Sequence, residues 1–331
     1  MASGSFDTSV KVWNLSTGIL KYTFDSTSAG HTNFVGALTF LKSTSLLASG
    51  SDDYLVKIWD LSVGRLRYNF NHTYPITALA SLYRNLLATA SYNMIKIWDI
   101  SSGNLKYTYD SSNGGHSAGV NTIIPLENNL LASGGYMPDN SVKVWNISAE
   151  ALKFSFNFTN SGHGDQITCL TQLNTDLLAS GSYDGSVKVW NITSGNLKYT
   201  LNYKTTGEFL KFSGVKSMAY SKETCLLAAG YAGGEIRVWN VSSVQLKSKL
   251  LSHTDIVWRL TFLNRFYLVS GSWDKRIIVW DLVRSSIKHV FSNVNGGHDD
   301  RIYELISISD RNNTFASGSA DNQVKVWHII F

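Results

Sequence analysis

Between Thr32 and Phe70 the apolar residues fall in four short blocks: VGALTF at 35–40, LLASGS at 46–51, VKIWDL at 56–61 and RLRYNF at 65–70. Each block is rich in β-branched, aromatic or small apolar residues, and each is separated from the next by Ser, Asp, Asn, Gly or Thr. That pattern predicts four antiparallel strands. No window sustains the three-and-four spacing of an amphipathic helix. With only three prolines in the chain, turn-making falls to Gly, Asn and Asp. The chain is expected to be all-β.

The four-strand sentence recurs. Its closing tryptophans are Trp13, Trp59, Trp98, Trp145, Trp190, Trp239, Trp280 and Trp327, spaced by 46, 39, 47, 45, 49, 41 and 47 residues. A unit of this size cannot bury its own apolar face, so the period implies stacked units that share a core between neighbours. Two polar positions keep register with the Trp. His31, His116, His163, His253 and His298 lie four residues before the Val or Ile that opens the first strand of a unit. Asp53, Asp139, Asp184, Asp274 and Asp321 lie six before Trp59, Trp145, Trp190, Trp280 and Trp327, with an inserted Met137-Pro138 ahead of Asp139. Two units depart: that of Trp98 has His72 but Tyr92 in place of Asp, in a shorter turn, and that of Trp239 has Lys211 and Gly233 in place of His and Asp, after an extra stretch at 205–212.

Gly-His before the first strand, S-x-D after the second and Trp-Asp or Trp-Asn at the end of the third make each unit resemble a WD40 repeat, over essentially the whole chain. The resemblance implies a β-propeller of four-stranded blades around a channel. It also implies that His, Asp, Ser and Trp form a buried hydrogen-bond chain within each blade. Ser, His and Asp together can activate a nucleophile, but five units carry the same set, and complete buried networks serve to rigidify a fold. No catalytic residue is therefore assigned, and the chain is read as not an enzyme.

Ring size follows from the ends. Residues 1–24 align with strands two to four of a unit, Met1 standing where Leu47 stands in LLASGSDD, and residues 301–330 supply strands one to three. The total is thirty strands, whereas seven blades need twenty-eight and eight need thirty-two. Closing the blade of Trp327 with the strand near Ile19–Phe24 gives seven blades, the expectation favoured here, and leaves residues 1–15 as a redundant hairpin. Eight blades, one lacking its inner strand and one its outer strand, is the alternative. Residues 2–13 nearly duplicate 316–327, so a displaced hairpin could pair with a neighbouring chain, or the array could be cut from a longer parent.

Composition adds limits. With 44% hydrophobic and 16% charged residues among 331, the chain can bury a large core and is read as one domain, 1–331. It has no apolar run of bilayer length and no signal peptide, so no membrane association is expected. Cys169 and Cys225 read as buried free thiols in a reducing compartment, which points to a cytoplasmic protein. Of the Asn-x-Ser/Thr acceptors at Asn14, Asn71, Asn146, Asn157, Asn191, Asn240 and Asn312, four are the repeated Trp-Asn turn, so they reflect repetition rather than glycosylation. The net charge of +5 is spread by Lys residues two before Trp and at the start of fourth strands, which argues against a nucleic-acid patch. No phosphate-binding Gly-rich loop or zinc spacing occurs, and no cofactor or metal is expected.

Function then falls where the repeats differ. In the family, the face bearing the Gly-His and S-x-D turns holds partner peptides or domains. The variable position before Asp carries Tyr183 and Trp273, Tyr136 precedes the Met137-Pro138 insertion, and the starts of first strands add Trp258, Arg259, Arg301 and Tyr303. Aromatics and Arg dominate interface energetics. These seven are the candidate residues of a non-catalytic protein-interaction scaffold, the alternative being a regulatory propeller cut from a larger signalling protein.

Overall fold

The protein is described from a computed structural model covering residues 1–41, 44–201, 214–308 and 313–330. Lys211, the stretch at 205–212 and Asn312 lie outside the described residues.

Among the described residues thirty strands form eight antiparallel sheets. The chain divides into two compact units, Met1–Gly162 and His163–Phe331. The first unit holds β1 (Ala2–Gly4), β2 (Val10–Trp13) and β3 (Leu20–Phe24); then β4 (Val35–Phe40), β5 (Leu46–Ser51), β6 (Leu55–Asp60) and β7 (Arg65–Asn71). Its remaining sheets are β8 (Ile76–Ser81), β9 (Leu86–Ser91), β10 (Met94–Asp99) and β11 (Asn104–Tyr109), and β12 (Val120–Leu126), β13 (Leu130–Gly135), β14 (Val142–Asn146) and β15 (Ala151–Phe156). The second unit holds β16 (Ile167–Gln172), β17 (Leu177–Ser182), β18 (Val187–Asn191) and β19 (Asn196–Leu201), followed by β20 (Val215–Ser221), β21 (Leu226–Tyr231), β22 (Glu235–Asn240) and β23 (Gln245–Leu251). It ends with β24 (Val257–Phe262), β25 (Tyr267–Ser272), β26 (Ile277–Asp281) and β27 (Ser286–Phe291), then β28 (Ile302–Ser307), β29 (Thr314–Ser319) and β30 (Val324–His328). No α-helix occurs among the described residues, so none is long and apolar enough to cross a membrane.

This arrangement corrects the seven-blade expectation: there are eight blades. β3 does not complete the sheet of Trp327 but pairs with β2, with Val10 opposite Phe24 and Trp13 opposite Leu20. The hairpin β1–β2 is accordingly no leftover, because it is the body of a three-stranded sheet. The physical reason is local: a three-residue turn after Asn14, closed by Gly18 N–H to the Asn14 carbonyl at 2.8 Å, brings β3 back onto β2 before any distant edge can compete for it.

Within each unit, blades are cemented by shared apolar layers. The second strand of a blade is buried along its whole length in β5, β13, β17 and β21. Its glycine is required by close approach: a Cβ on Gly181 would sit 2.6 Å from Val215 Cγ1 of the next blade, and one on Gly271 would sit 2.6 Å from Ile302 Cγ2. The aromatic that ends an outer strand stacks on the next blade's Trp, Phe24 on Trp59, Phe70 on Trp98 and Tyr109 on Trp145, each pair 4.2 Å between centroids. A blade's core is thus completed by its neighbour, which is why the repeat is the smallest meaningful unit.

Candidate functional site

Two polar constructions stand out. The first is buried and repeated. In the blade of Trp59 the indole N–H donates to Ser49 Oγ at 2.8 Å, Ser49 Oγ meets His31 Nε2 at 2.7 Å, and His31 Nδ1 meets Asp53 Oδ2 at 2.9 Å. The same links join Trp145, Ser133, His116 and Asp139; Trp190, Ser180, His163 and Asp184; Trp280, Ser270, His253 and Asp274; and Trp327, Ser317, His298 and Asp321. A Trp N–H can only donate, so the serine oxygen accepts from it and sends its own proton to His Nε2. His Nδ1–H then faces the carboxylate.

Burial opposes the charge on Asp53. The hydrogen bonds from His31 and from the backbone of Thr32 and Leu55 outweigh it, and the carboxyl is held below the usual range. The same balance lowers Asp139, Asp184, Asp274 and Asp321. Burial lowers His116 and His298 despite the pull of their Asp partners. The serines are sealed, with Ser49, Ser133, Ser180 and Ser270 at 0% exposure. Each serine oxygen is both occupied by an indole and closed to solvent. These chains tie the Gly-His turn to the Trp strand and offer no nucleophile to a substrate.

The two departing blades solve the same problem differently. In that of Trp98, Thr89 replaces Ser, accepting from Trp98 Nε1 and meeting His72 Nε2, both at 3.0 Å. His72 has no carboxylate, and burial, with Lys96 adding repulsion, pushes it down to about 3. In that of Trp239, Ala229 stands where Ser would be, and a buried ion pair, Arg237 Nε to Glu235 Oε1 at 2.6 Å, occupies the blade instead.

The second construction is unrepeated and lies at the mouth of the second unit. Its geometry comes from bulges. Pairing slips between Val215 and Ser217, between Val257 and Arg259, and between Ile302 and Glu304, so Lys216, Trp258 and Tyr303 are each the extra residue of a bulge, a device that re-aims a side chain. The residue before the turn Asp is pinned by its own backbone: Tyr183 N–H donates to the Gln166 carbonyl at 3.1 Å and Trp273 N–H to the Ile256 carbonyl at 3.0 Å.

These five positions converge. Trp258 and Trp273 stack at 4.8 Å and 17°, and Tyr303 meets both edge-on at 5.8 and 6.2 Å. The Arg301 guanidinium lies 4.6 Å from the Trp273 ring, and Lys216 Nζ lies 4.0 Å from Tyr183 and 5.0 Å from Trp258. Burial lowers Lys216, and burial also pushes the neighbouring Cys169 thiol up to about 11. The Trp273 indole N–H is buried without a hydrogen-bond partner among the described residues.

Of the seven candidates, the structure thus brings together Tyr183, Trp258, Trp273, Arg301 and Tyr303. Arg259 turns aside to pair with Glu304, Nε to both carboxylate oxygens at 3.1 Å. Tyr136 belongs to the first unit, where it is 45% exposed beside an exposed Met137 and donates its N–H to the Gly119 carbonyl at 2.6 Å. Sequence reasoning missed Lys216, although it shares the register of Trp258 and Tyr303, the position after the Val or Ile that opens a first strand. It also missed the first unit's Phe6–Phe34 stack at 3.9 Å and the Tyr74–Tyr92 pair at 4.8 Å. Cys169 and Cys225, both expected buried, are each only half-buried, Cys225 at a positive φ of 53°. Among the described residues no group of three or more His, Cys, Asp or Glu is placed to hold a metal ion. A cleft of about 210 Å³ lies between the sheets β8–β11 and β12–β15, lined by Asp99, Lys106 and Glu150, at the end of the blades away from the Gly-His turns.

The family model for "WD domain, G-beta repeat" matches residues 20–60, 103–146, 154–191, 203–240, 244–281 and 288–328, more than half of the chain. Residues 61–102, which hold β7 to β10 and Trp98, lie outside these matches, as do residues 1–19. Among curated proteins, the chain is similar to the ubiquitin fusion degradation protein 3 homolog of Caenorhabditis elegans, 35% identical over 63 residues. It is also similar to cell division control protein 4 of Saccharomyces cerevisiae, 36% identical over 62 residues. These stretches are 18% and 19% of this chain, and the match spans 7% of the length of each relative. Among solved structures, the computationally designed Ika8 protein superposes with a TM-score of 0.80 at 29% identity, covering 99% of this chain and 92% of that one.

Proposed function

The chain belongs to the WD40-repeat family, and from that premise we propose that it is a non-catalytic scaffold that holds a peptide or protein domain at the mouth of its second unit. The observation that carries this reading is the stacked Trp258–Trp273 pair, edged by Tyr303 and flanked by Arg301 and Lys216. Large amphipathic rings with little rotamer freedom, beside cations, are the residue types that concentrate binding energy. The unpartnered Trp273 N–H adds a donor whose burial costs about 1–3 kcal/mol until an acceptor reaches it. A folded domain has no need of an unrepeated aromatic cluster at a blade mouth when the repeated networks already hold its turns.

The test is affinity capture from a native extract with the chain and with a variant carrying Trp258→Ala, Trp273→Ala and Tyr303→Ala, after thermal melting has shown equal stability. Loss of a specific captured protein is the expected result, and identical capture by both sinks the reading. A second reading, a regulatory propeller within a larger signalling protein, is favoured by the small share of each relative's length that the match spans. Sequencing the transcript on both sides of this reading frame decides it: an effector domain supports it and adjoining stop codons refute it.

A further inference from the structure

Tyrosine has two uses in the first unit. On the outer strands its hydroxyl is spent within the fold: Tyr68 Oη donates to the Ser101 carbonyl at 3.3 Å and Tyr107 Oη to the Ile147 carbonyl at 2.7 Å. On the face of the Gly-His and S-x-D turns, Tyr54, Tyr74, Tyr92 and Tyr136 are each 45–50% exposed, and their hydroxyls meet no partner among the described residues. The backbone links these four in series. The Tyr54 carbonyl accepts the N–H of His72, close to Tyr74, at 2.9 Å, and the Tyr74 and Tyr92 rings stand 4.8 Å apart, opened by 38°. The Tyr92 carbonyl then accepts the Val120 N–H at 2.6 Å, and Tyr136 N–H donates to the carbonyl of the preceding Gly119 at 2.6 Å. The four rings therefore form one band across three four-stranded sheets, β4–β7, β8–β11 and β12–β15.

The band is nearly free of charge. The turns that carry it, residues 51–55, 71–76, 91–94 and 135–141, contain no Lys, Arg or Glu, and of their three Asp residues Asp53 and Asp139 are taken by His31 and His116. The mouth of the second unit, by contrast, sets Lys216 and Arg301 against its rings. An acidic or phosphorylated segment thus finds no counter-charge on the band. What half-exposed phenols offer is rigid apolar area beside a hydrogen-bond donor. A polyproline II segment is the complement. Its proline rings pack on aromatic faces, its carbonyls have no internal partner and are free to accept, and it is extended beforehand, so little order is lost on binding. We propose that Tyr54, Tyr74, Tyr92 and Tyr136 form a docking band for an uncharged, proline-rich segment of a partner polypeptide. The opened Tyr74–Tyr92 pair seats a proline ring, and the hydroxyls donate to the carbonyls of the segment. This surface is separate from the aromatic mouth of the second unit, takes a separate occupant and stands without it.

The experiment uses the full chain, ring-labelled at tyrosine for NMR, with fluorescein-labelled decaproline and a fluorescein-labelled Gly-Ser peptide of equal length. Saturable anisotropy is expected with decaproline, and binding of the Gly-Ser peptide is expected to be at least tenfold weaker. The ring signals of Tyr54, Tyr74, Tyr92 and Tyr136 are expected to shift, while those of Tyr183 and Tyr303 stay in place. Tyr74→Ser combined with Tyr136→Ser removes two rings and keeps the backbone hydrogen bonds at both positions, so it is expected to weaken binding at least tenfold. The ring shifts of the unchanged chain keep the test decisive if that variant fails to fold. Undiminished binding by the folded variant, equal binding of the two peptides, shifts confined to other tyrosines, or no binding at millimolar decaproline overturns the proposal. Shifts of the same four rings with cellohexaose and none with decaproline overturn the assigned occupant in favour of a sugar.

Discussion

The neighbouring blades that end at Trp59 and Trp98 share four strands, the same stacked aromatic, at 4.2 Å in each, and the same indole-to-hydroxyl hydrogen bond. They differ in one polar link. His31 ends on Asp53, whose side chain is 5% exposed and also accepts from the Thr32 and Leu55 N–H groups. His72 ends on nothing: its Nδ1 is buried and unpaired among the described residues, and Tyr92 turns in a tighter loop at a φ of 50°. A blade therefore folds without the carboxylate, provided that its histidine stays neutral. Asp in the other blades supplies an acceptor for His Nδ1 and a fixed turn, not the fold itself.

The largest effect is expected from deleting the link where it exists. Asp53→Ala leaves His31 Nδ1 and two backbone N–H groups without their acceptor and should cost about 3 kcal/mol, read by urea unfolding. A loss below about 1 kcal/mol contradicts the view that the five networks are structural.

The second effect separates the two blades by pH. The ordinary His value of 6.5 falls to about 3 for buried His72. Its contribution is therefore complete above pH 6.5 and is lost as pH falls from there toward 3, because the unfolded chain takes up a proton that the folded chain refuses. At pH 5 the loss comes to about 2 kcal/mol, and His72→Gln should flatten that slope between pH 7 and 5. The Asp residues run in a lower window. Their folded values lie below the ordinary 3.8, so what they contribute is complete above that value and is lost only as pH falls through the lowered one. A His72→Gln slope equal to that of the unchanged chain refutes the assignment.

The smallest effect is Thr89→Ser, which keeps both hydrogen bonds and removes one buried methyl. It should cost about 1 kcal/mol, and a much larger loss in thermal melting means that Thr89 does more than stand in for serine.

The sequence carried the strands almost to the residue. The block LLASGS at 46–51 is β5, TFASGS at 314–319 is β29, and every His–Asp pair expected from register meets at 2.7–2.9 Å. These were legible because each repeats, so one reading could be checked against several others. Blade number was not, because β3 has two edges it could complete and apolar pattern does not say which; the tight turn at Asn14–Gly18 decides it. The aromatic mouth was half legible. Trp258, Trp273 and Tyr303 announced themselves by type, whereas Lys216 and the aside turn of Arg259 toward Glu304 depend on bulges that place consecutive residues on different sides.

What repeats holds the blades, and on the function proposed above what does not repeat meets a partner. The most direct test is amide exchange on the chain bound to whatever protein it captures. The account predicts slowed exchange at the starts of β20, β24 and β28 and in the turns at Tyr183 and Trp273, with the Gly-His turns of the first unit unchanged. Protection confined to other surfaces, with these segments exchanging as in the free chain, contradicts it.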